Sequence, residues 1–175
     1  MFGRYAALLA GVLMVSGCVS DGVGTDYAAI SQKFGPPKPG HSRIVVLQEK
    51  RKGLSMAICA CDVKLDGQPI GKIIVGSYAF TDRPAGRHQL VASEVMFPGD
   101  TAHNFATEPG RTYFFLVRSS ERHDAVMGVT MVGGLVGAVV ASAATATAGN
   151  PGPAEFVALD EATARTTLAD LQLAQ

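Results

Sequence analysis

The most reactive side chains in this 175-residue chain are three cysteines, Cys18, Cys59 and Cys61, and four histidines, His41, His88, His103 and His123. Cys59-Ala60-Cys61 sets two thiols at i and i+2. On a strand such residues share a face about 7 Å apart, near the upper limit for a disulfide. A thiol used in redox or metal chemistry needs an exposed, electropositive setting. Here the same face carries Ala57, Val63 and Leu65. That favours buried structural thiols over a strained or intermolecular disulfide, with redox or metal chemistry third. No two histidines have His-x-x-x-His spacing, so no metal site is expected. The chain shows neither a Gly-x-Ser-x-Gly elbow nor a phosphate-cradling loop,. Ser119-Ser120-Glu121-Arg122-His123-Asp124 contains Ser, His and Asp, but adjacent side chains diverge and cannot form a triad. That run reads as a solvated turn. The expectation is a protein with no catalytic residue, no metal and no cofactor.

The elements that would carry these residues follow from pattern. Short β-prone runs lie at 43–48, 56–65, 70–75, 78–82, 87–97, 103–107 and 112–118. Turn signals separate them, among them Asp66-Gly67, Gly76-Ser77, Pro98-Gly99-Asp100 and Pro109-Gly110,. Cys59, Cys61, Val63 and Leu65 alternate with Asp62 and Lys64, and Tyr113, Phe115 and Val117 also share a face,. Many short strands at such spacing predict a mainly β fold: a small immunoglobulin-like antiparallel β-sandwich over 43–124. Ahead of it, a short helix over 26–34 is expected, capped by Thr25, with a stiff Pro-rich spacer following at Gly35-Pro36-Pro37-Lys38-Pro39-Gly40,. Lys+Arg and Asp+Glu both number 15. That balance lacks the basic footprint of a nucleic-acid binder. A hydrophobic fraction of 47% excludes a disordered chain,.

Between Asp124 and Glu155 the chain carries no charge. About 24 apolar residues suffice to cross a bilayer as a helix. The run predicts an apolar Gly/Ala-rich helix over 125–149. Small residues recur at Gly133, Gly137, Ala141 and Thr145, a ridge along which helices can approach closely. Two other arrangements remain open, a hairpin folded at Gly133-Gly134 and a helix docked on the sandwich. Beyond it, 150–175 is expected to hold a final strand and a C-terminal amphipathic helix. Asp160 is its N-cap, and Ala164, Leu168 and Leu171 lie on its inner side,.

At the other end, Arg4 precedes an uncharged apolar run over 5–16 that closes on Val15-Ser16-Gly17-Cys18. The run is too short to span hydrocarbon but suits a secretion signal over 1–17. Small residues ahead of a Cys resemble the lipobox of bacterial lipoproteins, which implies that Cys18 becomes an acylated N-terminus. Several acyl chains give stable anchoring. The tether then covers 18–42. By the same resemblance, Val19 rather than Asp after the Cys implies the outer membrane, facing the periplasm, rather than the inner membrane.

The phrase Val63-Lys64-Leu65-Asp66-Gly67-Gln68-Pro69-Ile70-Gly71-Lys72 is followed by Gly76-Ser77-Tyr78, Ala85-Gly86-Arg87-His88 and Glu108-Pro109-Gly110-Arg111-Thr112-Tyr113-Phe114. In this order, after an Arg43-Ile44 strand, these resemble an uncharacterised bacterial lipoprotein family, the domain of unknown function 2846. That family is similar to the small sandwich modules called PEGA. The resemblance covers about 36–120 and again 155–171. Its motifs are mainly turns and imply a fold more than an activity. Two departures stand out: Ala85-Gly86-Arg87-His88 where the family has Pro-Gly-x-His, and Leu47-Gln48 where it has an aromatic-Arg pair. The expected function is a lipid-anchored cell-envelope protein, a non-enzymatic β-sandwich with a binding or structural role. Its expected partners are membrane lipid through acylated Cys18, and itself or another envelope protein through 125–148; no nucleic acid is expected. The alternative is a membrane-associated oligomer assembled through 125–148, packed at Gly133, Gly137 and Ala141. A third reading is a small periplasmic hydrolase or thiol enzyme.

Overall fold

A computed structural model describes residues 27–50, 60–95, 97–145 and 149–174. The expectations for Cys18, Cys59 and Thr25 lie outside these residues. In chain order the elements are α1 (Tyr27–Phe34), β1 (His41–Gln48), β2 (Cys61–Leu65), β3 (Gln68–Ile73), β4 (Ser77–Pro84), β5 (Arg87–Ser93), β6 (Thr101–Ala106), β7 (Thr112–Ser119), α2 (Glu121–Ala144), β8 (Ala154–Leu159), α3 (Glu161–Leu168) and β9 (Gln172–Leu173).

Strand β1 organises the molecule. It is buried continuously from Ser42 to Gln48, the mark of a strand covered on both faces. Ile44 and Val46 enter one core, while Val45 and Leu47 enter another. The five-stranded sheet runs β8-β7-β1-β4-β9, and a four-stranded sheet runs β3-β2-β5-β6. Between the two sheets, Ile44, Val46, Val63, Leu65, Leu90, Phe115 and Val117 pack into the larger core. The fold is mainly β and sandwich-like, as expected from the alternation. Cys61, Val63 and Leu65 are buried while Asp62 and Lys64 are exposed. The pairing is not purely antiparallel: β1 pairs with β7 and β4 with β9 in parallel. A parallel partner requires a crossover rather than a hairpin, which turn signals alone do not reveal.

The outer face of the five-stranded sheet is covered by α1 and α3. Tyr27 lies edge-on to Tyr78 and Phe114, both with ring centroids at 5.9 Å. Ala164, Leu168 and Leu171 fill the space beside them. Asp160 caps α3, its carboxylate accepting from the Thr163 backbone N–H at 3.0 Å.

Candidate functional site

Strands β7 and β8 are antiparallel neighbours, and Ser119 pairs with Ala154. Everything between those two residues is an elaborated strand connection, and α2 is its main part. Ser120 caps the helix: its hydroxyl accepts from the His123 N–H at 3.1 Å and donates to Gly152 O at 2.7 Å. The expected solvated turn at 119–124 is therefore corrected. Arg122 and His123 are buried, because loops distant in sequence close over the first helical turn.

The expected helix over 125–149 also differs in shape. Gly134 breaks α2 with φ 59° and ψ −151°, a conformation open to glycine and costly for other residues. Two contacts give the result. Arg122 Nε donates to Thr145 Oγ1 at 3.0 Å, although in a straight helix those residues would stand about 34 Å apart. A Cβ on Gly137 would lie 2.9 Å from Val129 O, where a straight helix would separate them by about 12 Å. The element is a helical hairpin with arms 121–133 and 135–144.

Of the expected packing residues, Gly137 sits at the closest approach of the two arms, and Ala141 is buried near the base. Gly133 lies by the turn, with open space where a side chain would be. The ridge is thus used within the chain.

The base of the hairpin is polar and tightly held. Arg122 Nη1 donates to Pro98 O at 2.6 Å and also to Pro151 O, and Nη2 donates to Ser142 O at 3.3 Å. Its guanidinium lies 5.1 Å from the Phe97 ring centroid. His123 Nε2 is 3.0 Å from Glu94 Oε2, within ion-pair distance but outside hydrogen-bond geometry. Thr101 Oγ1 donates to Ala154 O at 2.6 Å. Gly152 passes so close to the Thr101 backbone that a Cβ there would overlap it.

The tip is the opposite. Residues 131–136 are all exposed. Among the described residues, twelve large hydrophobics are exposed, and eight of them lie on this hairpin: Met127, Val129, Met131, Val132, Leu135, Val136, Val139 and Val140. The helix has a mean hydropathy of 2.0 over its most apolar stretch.

His88 Nδ1 meets Asp66 Oδ2 at 2.7 Å and its Nε2 faces Pro84 O at 3.0 Å, so both ring nitrogens are engaged. Burial pushes the Asp66 carboxyl up, but hydrogen bonds from the Gln89 N–H and from His88 outweigh it and hold the group below its ordinary range,. Arg43 grips Asp82 through two bonds at 2.7 and 2.9 Å. That hydrogen bonding raises its pKa above the ordinary arginine value. Among the described residues, no three His, Cys, Asp or Glu side chains cluster as metal ligands. Cys61 is disulfide-bonded rather than the free thiol expected; the two other cysteines lie outside the described residues. A cleft of about 880 Å³ opens between α1, α3 and β7, with Tyr27, Arg43, Tyr113 and Arg165 on its walls.

A family model described as a protein of unknown function (DUF2846) matches residues 38–134, more than half of the chain. The match takes in the sandwich strands through β7 and ends at the Gly134 kink, with the first hairpin arm inside it. The second stretch of expected resemblance, 155–171, lies beyond it. No curated protein and no solved structure matches.

Proposed function

The chain belongs to the DUF2846 family, and from that premise we propose that it is a lipid-anchored cell-envelope protein whose sandwich has a non-enzymatic binding or structural role. The lipobox-like Val15-Ser16-Gly17-Cys18 supports the anchor, with Cys18 as the acylated residue. The outer membrane, facing the periplasm, is the proposed location. The observation that carries the reading is the apolar hairpin. A soluble domain rarely exposes so much contiguous apolar surface, and such a patch marks a contact with a membrane or another apolar partner. The oligomer reading draws less support, because Gly137 approaches Val129 of its own chain.

Cell fractionation and mass spectrometry test this. Wild-type protein is expected in the membrane fraction with an acylated N-terminal Cys18. Cys18→Ala is expected to be unprocessed or released to the soluble periplasm. An unmodified mature N-terminus on the wild type would overturn the anchor.

A further inference from the structure

We infer that the α2 hairpin is a single-leaflet membrane insert: it enters tip first into the hydrocarbon of the leaflet that holds acylated Cys18, and does not cross. This rests on the lipid-anchored reading above and adds a second, independent attachment.

Length comes first. Asp124 is the last charged residue before the tip, and Gly134 is the turn. Ten residues of helix rise about 15 Å, and a bilayer core of about 30 Å gives about 15 Å per leaflet. The second arm, 135–144, has the same reach. As one straight helix the segment would be long enough to span; folded at Gly134 it reaches the midplane.

Chemistry agrees. From Ala125 to Ala154 no residue is charged. Exposure at 131–136 runs all the way round the tip. A protein groove or a second copy would bury one stripe of a helix, whereas an element apolar on every side suits an isotropic apolar solvent. Thr130 on the first arm is satisfied internally, its Oγ1 donating to Val126 O at 2.6 Å, and at the base Thr145 Oγ1 donates to Ala141 O at 2.7 Å. Hydrocarbon requires that internal pairing. The kink at Gly134 leaves the last carbonyls of the first arm and the first N–H groups of the second without helical partners at the tip,, a desolvation cost that immersing the tip's large apolar side chains must exceed. Charges gather where the hairpin leaves the sandwich, with Glu121 and Asp124 exposed and Arg118 paired to Glu155 at 3.0 Å. They suit the headgroup layer.

Placement agrees as well. Tyr27 lies against Tyr78, whose ladder partner is Leu47, and Leu47 in turn pairs with Leu116 near the end of β7. Phe34 lies against Phe80, further from that end. Tyr27 lies equally close to Phe114, which shares the Val45 rung with Phe80, so α1 begins only slightly nearer the sheet end from which α2 departs. Nine residue steps separate Cys18 from Tyr27 and span at most about 30 Å. An acyl anchor and the hairpin tip can share one leaflet.

The chain contains no Trp, so a single introduced Trp reports its own surroundings. Full-length mature protein carrying Leu135→Trp, or Val136→Trp as a second variant, is reconstituted into vesicles of phosphatidylethanolamine and phosphatidylglycerol. Emission is expected to shift to the blue, with strongest quenching by lipids brominated deep in the acyl chain. Phe34→Trp, against Phe80 on the outer face of the five-stranded sheet, is expected to stay water-like. Adding Val132→Arg is expected to lower the ratio of immersed to exposed tip about 100-fold. Water-like emission from both tip variants in vesicles would overturn the insert. So would a blue shift that grows with protein concentration before lipid is added, which would show a second copy covering the tip. Quenching from the opposite leaflet's aqueous side would show a span. The N-terminal mass reads acylation separately, so failure of the anchor and failure of the insert are told apart.

Discussion

The sandwich and the hairpin are both rich in valine, leucine and alanine, yet they use those residues in opposite ways. In the sandwich, alternation turns one side of each strand inward, and β1, covered on both faces, has no outward side. In the hairpin, burial is confined to Arg122, His123, Val126 and Ala141, and the apolar residues beyond them face out. The lesson is that composition does not decide burial. Partner layers do, and the hairpin tip has none among the described residues.

The sharpest way to break the comparison is to make one substitution in both regions. Leu65 is fully buried in the larger core, while Leu135 is 80% exposed. Leu65→Ala is expected to cost about 2–5 kcal/mol through lost burial and a residual cavity. Leu135→Ala is expected to change stability by less than about 0.5 kcal/mol. Urea unfolding of the two variants side by side measures both. Equal losses would mean that the tip is packed in solution.

Arg122 joins the regions and comes next in size. Arg122→Ala removes the donor to four oxygens and leaves the Pro98 and Pro151 carbonyls without it. A loss of about 1–3 kcal/mol is expected. The hairpin should loosen before the strands do, so amide exchange should rise over 121–145 while β1 and β7 stay protected. Uniform loss of protection would mean that the two regions unfold as one unit.

Much of the sandwich was legible because each signal was local. The alternation over Cys61–Leu65 and the Asp160 cap need only neighbours in sequence. The hairpin was half legible: Gly133-Gly134 carried the signal for a turn, but an uncharged run of that length suits a straight helix equally well. The base was not legible. Glu121-Arg122-His123-Asp124 looks solvated until residues 94–99 and 150–152 arrive from elsewhere in the chain. Nor was β9, two residues long and paired in parallel, where no side-chain pattern can develop.

Removing 125–148 tests whether the sandwich needs the hairpin at all. Ser119 and Ala154 are already paired in the ladder, so a short turn can join them. The expected result is unchanged β-type circular dichroism with loss of the hairpin's helical signal. Collapse of the β signal would place the hairpin inside the folding core.

The smallest expected effect lies in the sandwich alone and is set by pH. Asp66 occupies a positive-φ turn, φ 52°, and accepts from Gln89 N at 2.9 Å as well as meeting His88. Its carboxyl titrates below its ordinary value of 3.8 in the folded chain. A lowered folded pKa means that the charged form favours folding. The resulting stability is present above the unfolded pKa and is lost as pH falls through the folded one. Asp66→Asn keeps the shape but removes the titration. Unfolding midpoints measured from neutral pH down to about 3 should converge for wild type and variant at the acid end, with the wild type ahead at neutral pH. The hairpin carries no acidic group between Asp124 and Glu155, so the deletion variant should keep this acid-dependent difference in full. If removing 125–148 abolished it, the Asp66 turn would be coupled to the hairpin, and the division between the two regions would fail there.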